Sequence, residues 1–323
     1  MSRNRSLSRI VLLRSLLRIV LLACLCIAGN GAAVAAPPPL PALDLDNPAP
    51  GIYVHYGKQA SMSRQNFGDI ANLGFIVGDR CAAVIDTGGT YAVGRALHEA
   101  LRRVTALPIC YVINTHVHPD HVFGNAAFTD DHPQFIGHAR LPASLGRRGP
   151  NYLHALQRDL GEIADGSAII APTRTVETAD TIDLGGRRVL LRAWRTAHTD
   201  CDLTVYDEAT HTLFVGDLAF VGHVPVVDGN LRGFLAVIEE LRAIPADRAI
   251  PGHGRAASWP DALASESRYL NALLVDVRAA IKAGRTLSET VETVQPAPGT
   301  WLLRDEFHRR NVSAAYAELE WDP

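Results

Sequence analysis

Cysteine is scarce in this chain: five residues in 323, and no two of them stand in a CxxC pair. That excludes a zinc knuckle and a dithiol redox motif. Cys24 and Cys26 fall in an N-terminal segment that reads as a leader, which leaves Cys81, Cys110 and Cys201. Three is an odd number, and a chain of this length buries enough surface without cross-links, so no disulfide framework is expected. All three read as small buried residues. Long apolar runs are absent after residue 36, so no membrane span is expected in the mature chain. No repeat of fixed period is present, which excludes a solenoid. Positive charge is also short: the formal net charge is −3.

What is present begins with the leader. Arg3, Arg5, Arg9, Arg14 and Arg18 precede the apolar run "IVLLACLCIAG", and "AAVAA" follows. A basic start, an apolar middle and small residues at the end describe a secretory signal over 1–36, cleaved near Ala35 or Ala36. Lipoprotein processing at Cys24 is the lesser alternative. Removing five arginines and no acidic residue takes the net charge from −3 to −8. An acidic body has no electrostatic reason to hold nucleic acid. The expected compartment is the periplasm, with a small molecule as substrate; the sequence leaves the oligomeric state open.

Residues 37–50 are Pro-rich and read as a linker, with one domain over 51–323. Short strands come first: "GIYVHYG", "NLGFIVG" and "CAAVIDTGG". "YAVGRALHEALRRV" has helical spacing, with Val93, Leu97, Leu101 and Val104 on one face. "LPICYVINT" is a buried strand. In the second half, "TIDLGGRRVLLRAW" predicts two strands around a Gly-Gly turn. "DLTVYDEATHTLFVGD" predicts a hairpin ending at Asp217. Helices follow at "LRGFLAVIEELRAI" and "DALASESRYLNALLVDVRAAIKAG", with the short strand "RAIPGHG" between them. The tail, with Leu302, Phe307 and Tyr316 among charges, reads as a helix packed on the body. Two β-rich halves, each with helices, predict an α/β fold of two packed sheets with helices outside.

The chemistry concentrates in "INTHVHPDHVFGN". His116 and His118, two apart as the chain leaves a strand, point the same way and suit a divalent ion. Asp120 and His121 follow a stiffening Pro119 and face a second ion. Four donors on one loop exceed one open tetrahedral site, and two metals explain the excess. The remaining donors come from other strand ends: His198, Asp217, and His253 on a Gly-flanked turn. The expected sets are His116, His118 and His198 for one ion, Asp120, His121 and His253 for the other, with Asp217 between. Zinc is the default metal, two Zn2+ per chain, with iron as the alternative. Such a pair can share and activate a water, and the hydroxide attacks a carbonyl-type substrate: ester, thioester, lactone or amide. Asp120 is the expected catalytic residue, orienting the nucleophile and passing a proton to the leaving group. Candidate substrate contacts are Arg195, His223 and Asn230. His98, His154 and His308, on helical stretches, are expected in solvent; His55, His132 and His138 read as ordinary polar positions.

The stretches "DTGG" at 86–89, "HVHPDH" at 116–121, "AHTD" at 197–200, "VGDLAF" at 215–220 and "PGHG" at 251–254 resemble the metallo-β-lactamase superfamily. The resemblance spans about Gly51 to Ala283 and implies a four-layer αβ/βα sandwich, two mixed sheets flanked by helices, with two metals at one edge. It also implies that Asp86 holds a ligand histidine from behind. Residues between the ligands, as in "GDIANLGFIVGDRCAAVIDTGG" and "FIGHARLPA", resemble the periplasmic zinc metallohydrolases of quinoprotein relay systems, related to SoxH proteins. That likeness implies a quinoprotein partner. Within the fold, a class B β-lactamase and a mononuclear iron sulfur dioxygenase are the alternatives. A glyoxalase II-type thioesterase lacks support in the mixed-charge tail, and the interval from His198 to His253 is too short for a nuclease insertion. A non-catalytic helper would not need seven metal ligands.

Overall fold

The computed structural model describes residues 42–321, so the expected leader and its cleavage site lie outside the described residues. The domain starts earlier than expected. Strand β1 (Asp46–Ala49) pairs antiparallel with β2 (Ile52–His55) as the outermost strand of a sheet. Proline does not prevent this, because an edge strand can face its missing donors outward. Asn47 Nδ2 donates to the carbonyls of Ala49 at 3.0 Å and Ile52 at 2.7 Å and closes the turn.

Strands β3 (Leu73–Val77) and β4 (Ala82–Ile85) continue this sheet antiparallel, and β5 (Ile109–Ile113), β6 (Gln134–His138) and β7 (Arg174–Val176) add to it in parallel. The crossover from β4 to β5 is helix α1 (Tyr91–Val104), capped by Thr90. Its apolar face meets one side of the sheet through Val93, Leu97 and Leu101; Val104, at its end, is exposed instead. Both sides of β4 are covered, which is why all four of its residues are apolar and buried.

The second sheet holds β8 (Ala179–Asp183), β9 (Arg188–Ala193), β10 (Leu203–Asp207), β11 (Thr212–Phe220), β12 (Arg248–His253) and β13 (Ala257–Ser258). Ile52, Ile76, Ile85 and Ile113 from the first sheet interlock with Val189, Leu191, Val205 and Phe214 from the second. The outer side of the second sheet carries α4 (Leu231–Leu241), α5 (Ala264–Lys282) and the tail helix α7 (Arg304–Leu319); α6 (Leu287–Thr293) lies between the last two in sequence. The result is the expected order of helix, mixed sheet, mixed sheet, helix. The single turn α2 (Pro119–Val122) carries Asp120 and His121 of the first motif, and the long α3 (Leu141–Leu160) packs against it. The helical stretch expected around His154 is the C-terminal half of α3; its first half, where Gly146, Gly149 and Pro150 interrupt the pattern, was not expected as helix.

Further expectations fail. Cys81 and Cys110 form a disulfide, since β4 and β5 bring their Cα atoms to 5.8 Å; both were expected as small buried residues with no disulfide framework, whereas Cys201 is buried as expected. Strand β11 runs on past Asp217 to Phe220, shifting register against β12 on both sides of Gly216. Two histidines expected in solvent are not: His308 is buried, bonded to the Tyr269 hydroxyl at 2.9 Å and the Val294 carbonyl at 3.1 Å, and His98 is half-buried against Asp131 at 2.7 Å.

Candidate metal centre

The seven expected ligands meet at one edge of the sandwich. Asp86 follows β4, His116 follows β5, His198 follows β9, and His253 ends β12. Asp217 lies inside β11, and the bulge at Gly216 (φ +55°) turns it toward the others. Its carboxylate comes so close to the neighbouring strand that a Cβ on Gly252 would lie 1.8 Å from Oδ1. Glycine at 252 is therefore required by the site itself.

Each imidazole is held from outside by one nitrogen, so the other points inward. His121 Nδ1 donates to Asp86 Oδ2 at 2.8 Å. His116 Nδ1 donates to Thr115 Oγ1 at 3.0 Å, and that hydroxyl donates onward to Asp86 Oδ2 at 2.7 Å. His198 Nδ1 donates to the Val226 carbonyl at 2.7 Å, and His253 Nδ1 to the Ile70 carbonyl at 2.9 Å. His118 is reversed: Nε2 meets Asp228 at 2.9 Å, and Nδ1 faces inward. Five tautomers are thereby set by outer partners.

The inward atoms crowd each other. His118 Nδ1 lies 3.2 Å from His116 Nε2 and 3.0 Å from His198 Nε2. Asp217 Oδ2 lies 3.3 Å from His198 Nε2 and 3.5 Å from His253 Nε2, and Oδ1 lies 3.3 Å from His121 Nε2. Asp120 Oδ2 is 3.3 Å from His253 Nε2 and 3.6 Å from His121 Nε2. His121 Nε2 and Asp217 Oδ1 are buried and make no geometrically sound hydrogen bond. Orphaned atoms of this kind inside a protein need a partner. Convergent imidazole lone pairs and carboxylate oxygens find one in a divalent cation. The donors fall into the two sets expected: His116, His118, His198 with Asp217, and Asp120, His121, His253. The group fits.

Charge tells the same story. Burial, with neighbouring histidines, drives His116 well below its ordinary pKa, and burial takes His198 to about 4. Burial also opposes protonation of His121 and His253, but Asp217 and Asp120 outweigh it, raising His121 well above the ordinary value and His253 to about 9. Burial would raise both carboxyls; the histidine charges instead pull Asp217 well below the carboxylate range and Asp120 to about 2. The shifts of His121 and His253 favour protons where the two carboxylates press on them. A cation would satisfy the same carboxylates in place of any such protons and release them on binding.

A cleft of about 490 Å³ opens over this cluster. His118, Asp120, Asp217 and His253 form its floor; Met62, Tyr152, Phe220, His223 and residues of α7 form its walls. Of the three candidate substrate contacts, His223 belongs to this wall. Burial, then the His253 charge, lowers its pKa to about 4. Its Nδ1 donates to the Val224 carbonyl, so Nε2 is left as an acceptor. Arg195 and Asn230 do not reach the cleft. Arg195 lies on the outer surface, ion-paired with Glu240. Asn230 caps α4, its side chain accepting from Gly233 N at 2.6 Å. Sequence reasoning missed Asp228, Arg148, which pairs with Asp228, and the wall contributed by α7. Nothing local marks Asp228 in "VVDGN"; only the fold brings it to His118.

Comparison with known proteins agrees with this geometry. A family model described as the metallo-β-lactamase superfamily matches residues 67–253. The chain belongs to the metallo-β-lactamase superfamily. A linear primary-alkylsulfatase from a Pseudomonas species is 24% identical over 255 residues, covering 67% of this chain and 48% of that protein. A hydroxyacylglutathione hydrolase from Gloeobacter violaceus is 28% identical over 174 residues, covering 53% of this chain and 57% of that protein. The chain thus spans about half the length of the curated relatives it matches. The solved sec-alkylsulfatase Pisa1 from Pseudomonas sp. superposes with a TM-score of 0.67 at 18% identity, over 85% of this chain and 50% of that one. At that identity the likeness shows the shared superfamily fold. The chain combines the superfamily fold with a His/Asp cluster able to hold metal.

Proposed function

We propose that this is an exported two-metal hydrolase, with zinc as its metal, that cleaves an ester, thioester, lactone or amide. One observation carries the reading: five imidazole nitrogens and two carboxylates converge in two sets, with His121 Nε2 and Asp217 Oδ1 left orphaned. Two divalent ions there would supply Lewis acidity and an activated water. The chain does the rest. Asp120 faces the cleft and stays ionised at neutral pH, so it can take a proton from the attacking water and hand it to the leaving group. His223 Nε2 can accept a hydrogen bond from substrate. Asp228 and Arg148 hold His118 at the mouth.

Export is supported by the basic-then-apolar start of the sequence and by the Cys81–Cys110 disulfide, which suits an oxidising compartment. Among the described residues no helix is long and apolar enough to cross a membrane. A place beside a periplasmic quinoprotein dehydrogenase rests on the residues between the ligands. A second reading, sulfate-ester hydrolysis, is favoured by the alkylsulfatase relatives and by the apolar cleft wall.

The test is a screen of metal-loaded and metal-stripped protein against a carboxylic ester, thioester, lactone, nitrocefin and an alkyl sulfate. Metal-dependent turnover of the first three is expected. Nitrocefin turnover above them would make the protein a β-lactamase, and alkyl sulfate turnover above them would make it a sulfatase. His118→Ala should abolish activity with the fold retained; turnover in the stripped protein contradicts the mechanism.

A further inference from the structure

The wall supplied by α7 holds a feature that the metal chemistry does not use. Leu303, Phe307 and Arg310 follow helical spacing onto one face, and all three line the cleft. Leu303 takes a left-handed conformation (φ +55°) as the helix begins, uncommon for so bulky a residue. The backbone on either side of His223 is stitched to this segment: Leu302 N donates to Gly222 O at 3.0 Å, and Val224 N to Leu302 O at 3.1 Å. The helix is therefore fixed relative to the metal centre.

Between the metal centre and Arg310 runs a row of rings. His253 and His223 have centroids 5.3 Å apart, His223 and Phe307 5.4 Å, and the Arg310 guanidinium lies 5.6 Å from the Phe307 ring. Met62, Ile70 and Val227 make the nearby wall apolar as well. Arg148, near the mouth, is spent on Asp228. Among the described residues Arg310 makes no ion pair, and it is the one arginine or lysine lining the cleft. Glu306, one turn before Arg310, also lines the cleft, but its carboxylate accepts from the Ser61 hydroxyl; the guanidinium beyond the row of rings is the group suited to an anion.

We infer that the substrate is an amphiphilic acid: an apolar body lies along Phe307 and His223, a carboxylate or similar anion meets Arg310, and the scissile bond sits over the metal centre. Arg310 is then a specificity residue that positions substrate and takes no part in bond breaking. This rests on the hydrolase reading above and sharpens its substrate class.

The experiment uses 4-nitrophenyl octanoate and the mono-4-nitrophenyl ester of octanedioic acid, which differ by one terminal carboxylate. The native full-length protein should favour the acid by about tenfold or more in kcat/KM, mostly through KM, and the preference should fall at high salt because the contact is exposed. Arg310→Leu, a good helix former at an exposed position, should collapse that ratio, and Arg310→Lys should restore part of it. Equal turnover of both esters by the native protein, or a preference that survives in Arg310→Leu, overturns the inference. If neither ester is cleaved, the ester reading fails separately. Calorimetry of octanoate with metal-stripped protein then decides: weaker binding to Arg310→Leu supports the anion site, and unchanged binding overturns it.

Discussion

Replacing Asp86 by asparagine should weaken metal binding while leaving the fold in place. Asp86 sits in the left-handed region at φ +54°, where asparagine is as well tolerated as aspartate, so the turn after β4 survives. The proton count does not survive. Asp86 accepts from Thr115 N at 2.8 Å, Thr115 Oγ1 at 2.7 Å and His121 Nδ1 at 2.8 Å, all buried. Asparagine replaces one accepting oxygen with a donor. If the amide nitrogen faces His121, that imidazole must move its proton to Nε2, the atom that should bind metal. If the Thr115 hydroxyl turns to accept from the amide, its own proton points at His116 Nδ1 and forces the same exchange there. Either donor left unpaired costs about 1–3 kcal/mol. Loss of such an outer partner typically costs about 10–100-fold in metal affinity, which is about 1.4–2.8 kcal/mol. The assay is competition with a chromophoric chelator on native protein and variant, with circular dichroism to confirm the fold. Two ions bound at native affinity by Asp86→Asn would refute the claim that outer hydrogen bonds set the ligand tautomers.

Other perturbations test the frame around the site. Asn311 is fully buried and bonds the Pro225 carbonyl at 2.6 Å, Val227 N at 2.9 Å and the Tyr269 hydroxyl at 2.9 Å; Asn311→Leu strands those groups, so thermal unfolding should show a loss of about 2–4 kcal/mol. The same variant should weaken metal binding in the chelator assay, because Val226, which orients His198, lies within the loop that Asn311 pins. Cys81→Ser opens a loop of 29 residues and should cost about 3–4 kcal/mol by chain entropy, matched by adding reductant to the native protein. Glu266 is wholly buried, and burial raises its carboxyl well above the ordinary range. Its folded pKa exceeds the unfolded one, so its contribution is full below about pH 4.5 and is lost as pH rises. Glu266→Gln should therefore raise the melting temperature at pH 7.5 by more than at pH 4.5; an equal shift at both would contradict this.

The ligand set was legible because its chemistry is local and punctuated. His116 to His121 declare themselves by crowding, and His198 and His253 by standing where apolar runs end; Asp217 instead interrupts an apolar run that continues to Phe220. The layers were legible because strands covered on both sides, such as Ala82–Ile85, read as unbroken apolar stretches. What the sequence hid depends on pairings between distant segments. Cys81 and Cys110 become partners only because β4 and β5 run parallel side by side, with the register shifting at Cys110. Asp228 meets His118 across 110 residues. Arg195 and Asn230 lay near ligands in sequence, but strand and helix geometry sent the first to the surface and spent the second on a helix cap. The tail was expected to pack on the body, and it does; that one face of it also walls the cleft follows from where α7 lands, which spacing alone does not give.

The most direct measurement is anomalous diffraction from crystals of the full chain grown with excess zinc, recorded on both sides of the zinc edge. Two peaks about 3.5–4 Å apart, one among His116, His118 and His198, the other among Asp120, His121 and His253, are the predicted result. A single peak, or none within reach of these side chains, would contradict the two-metal account.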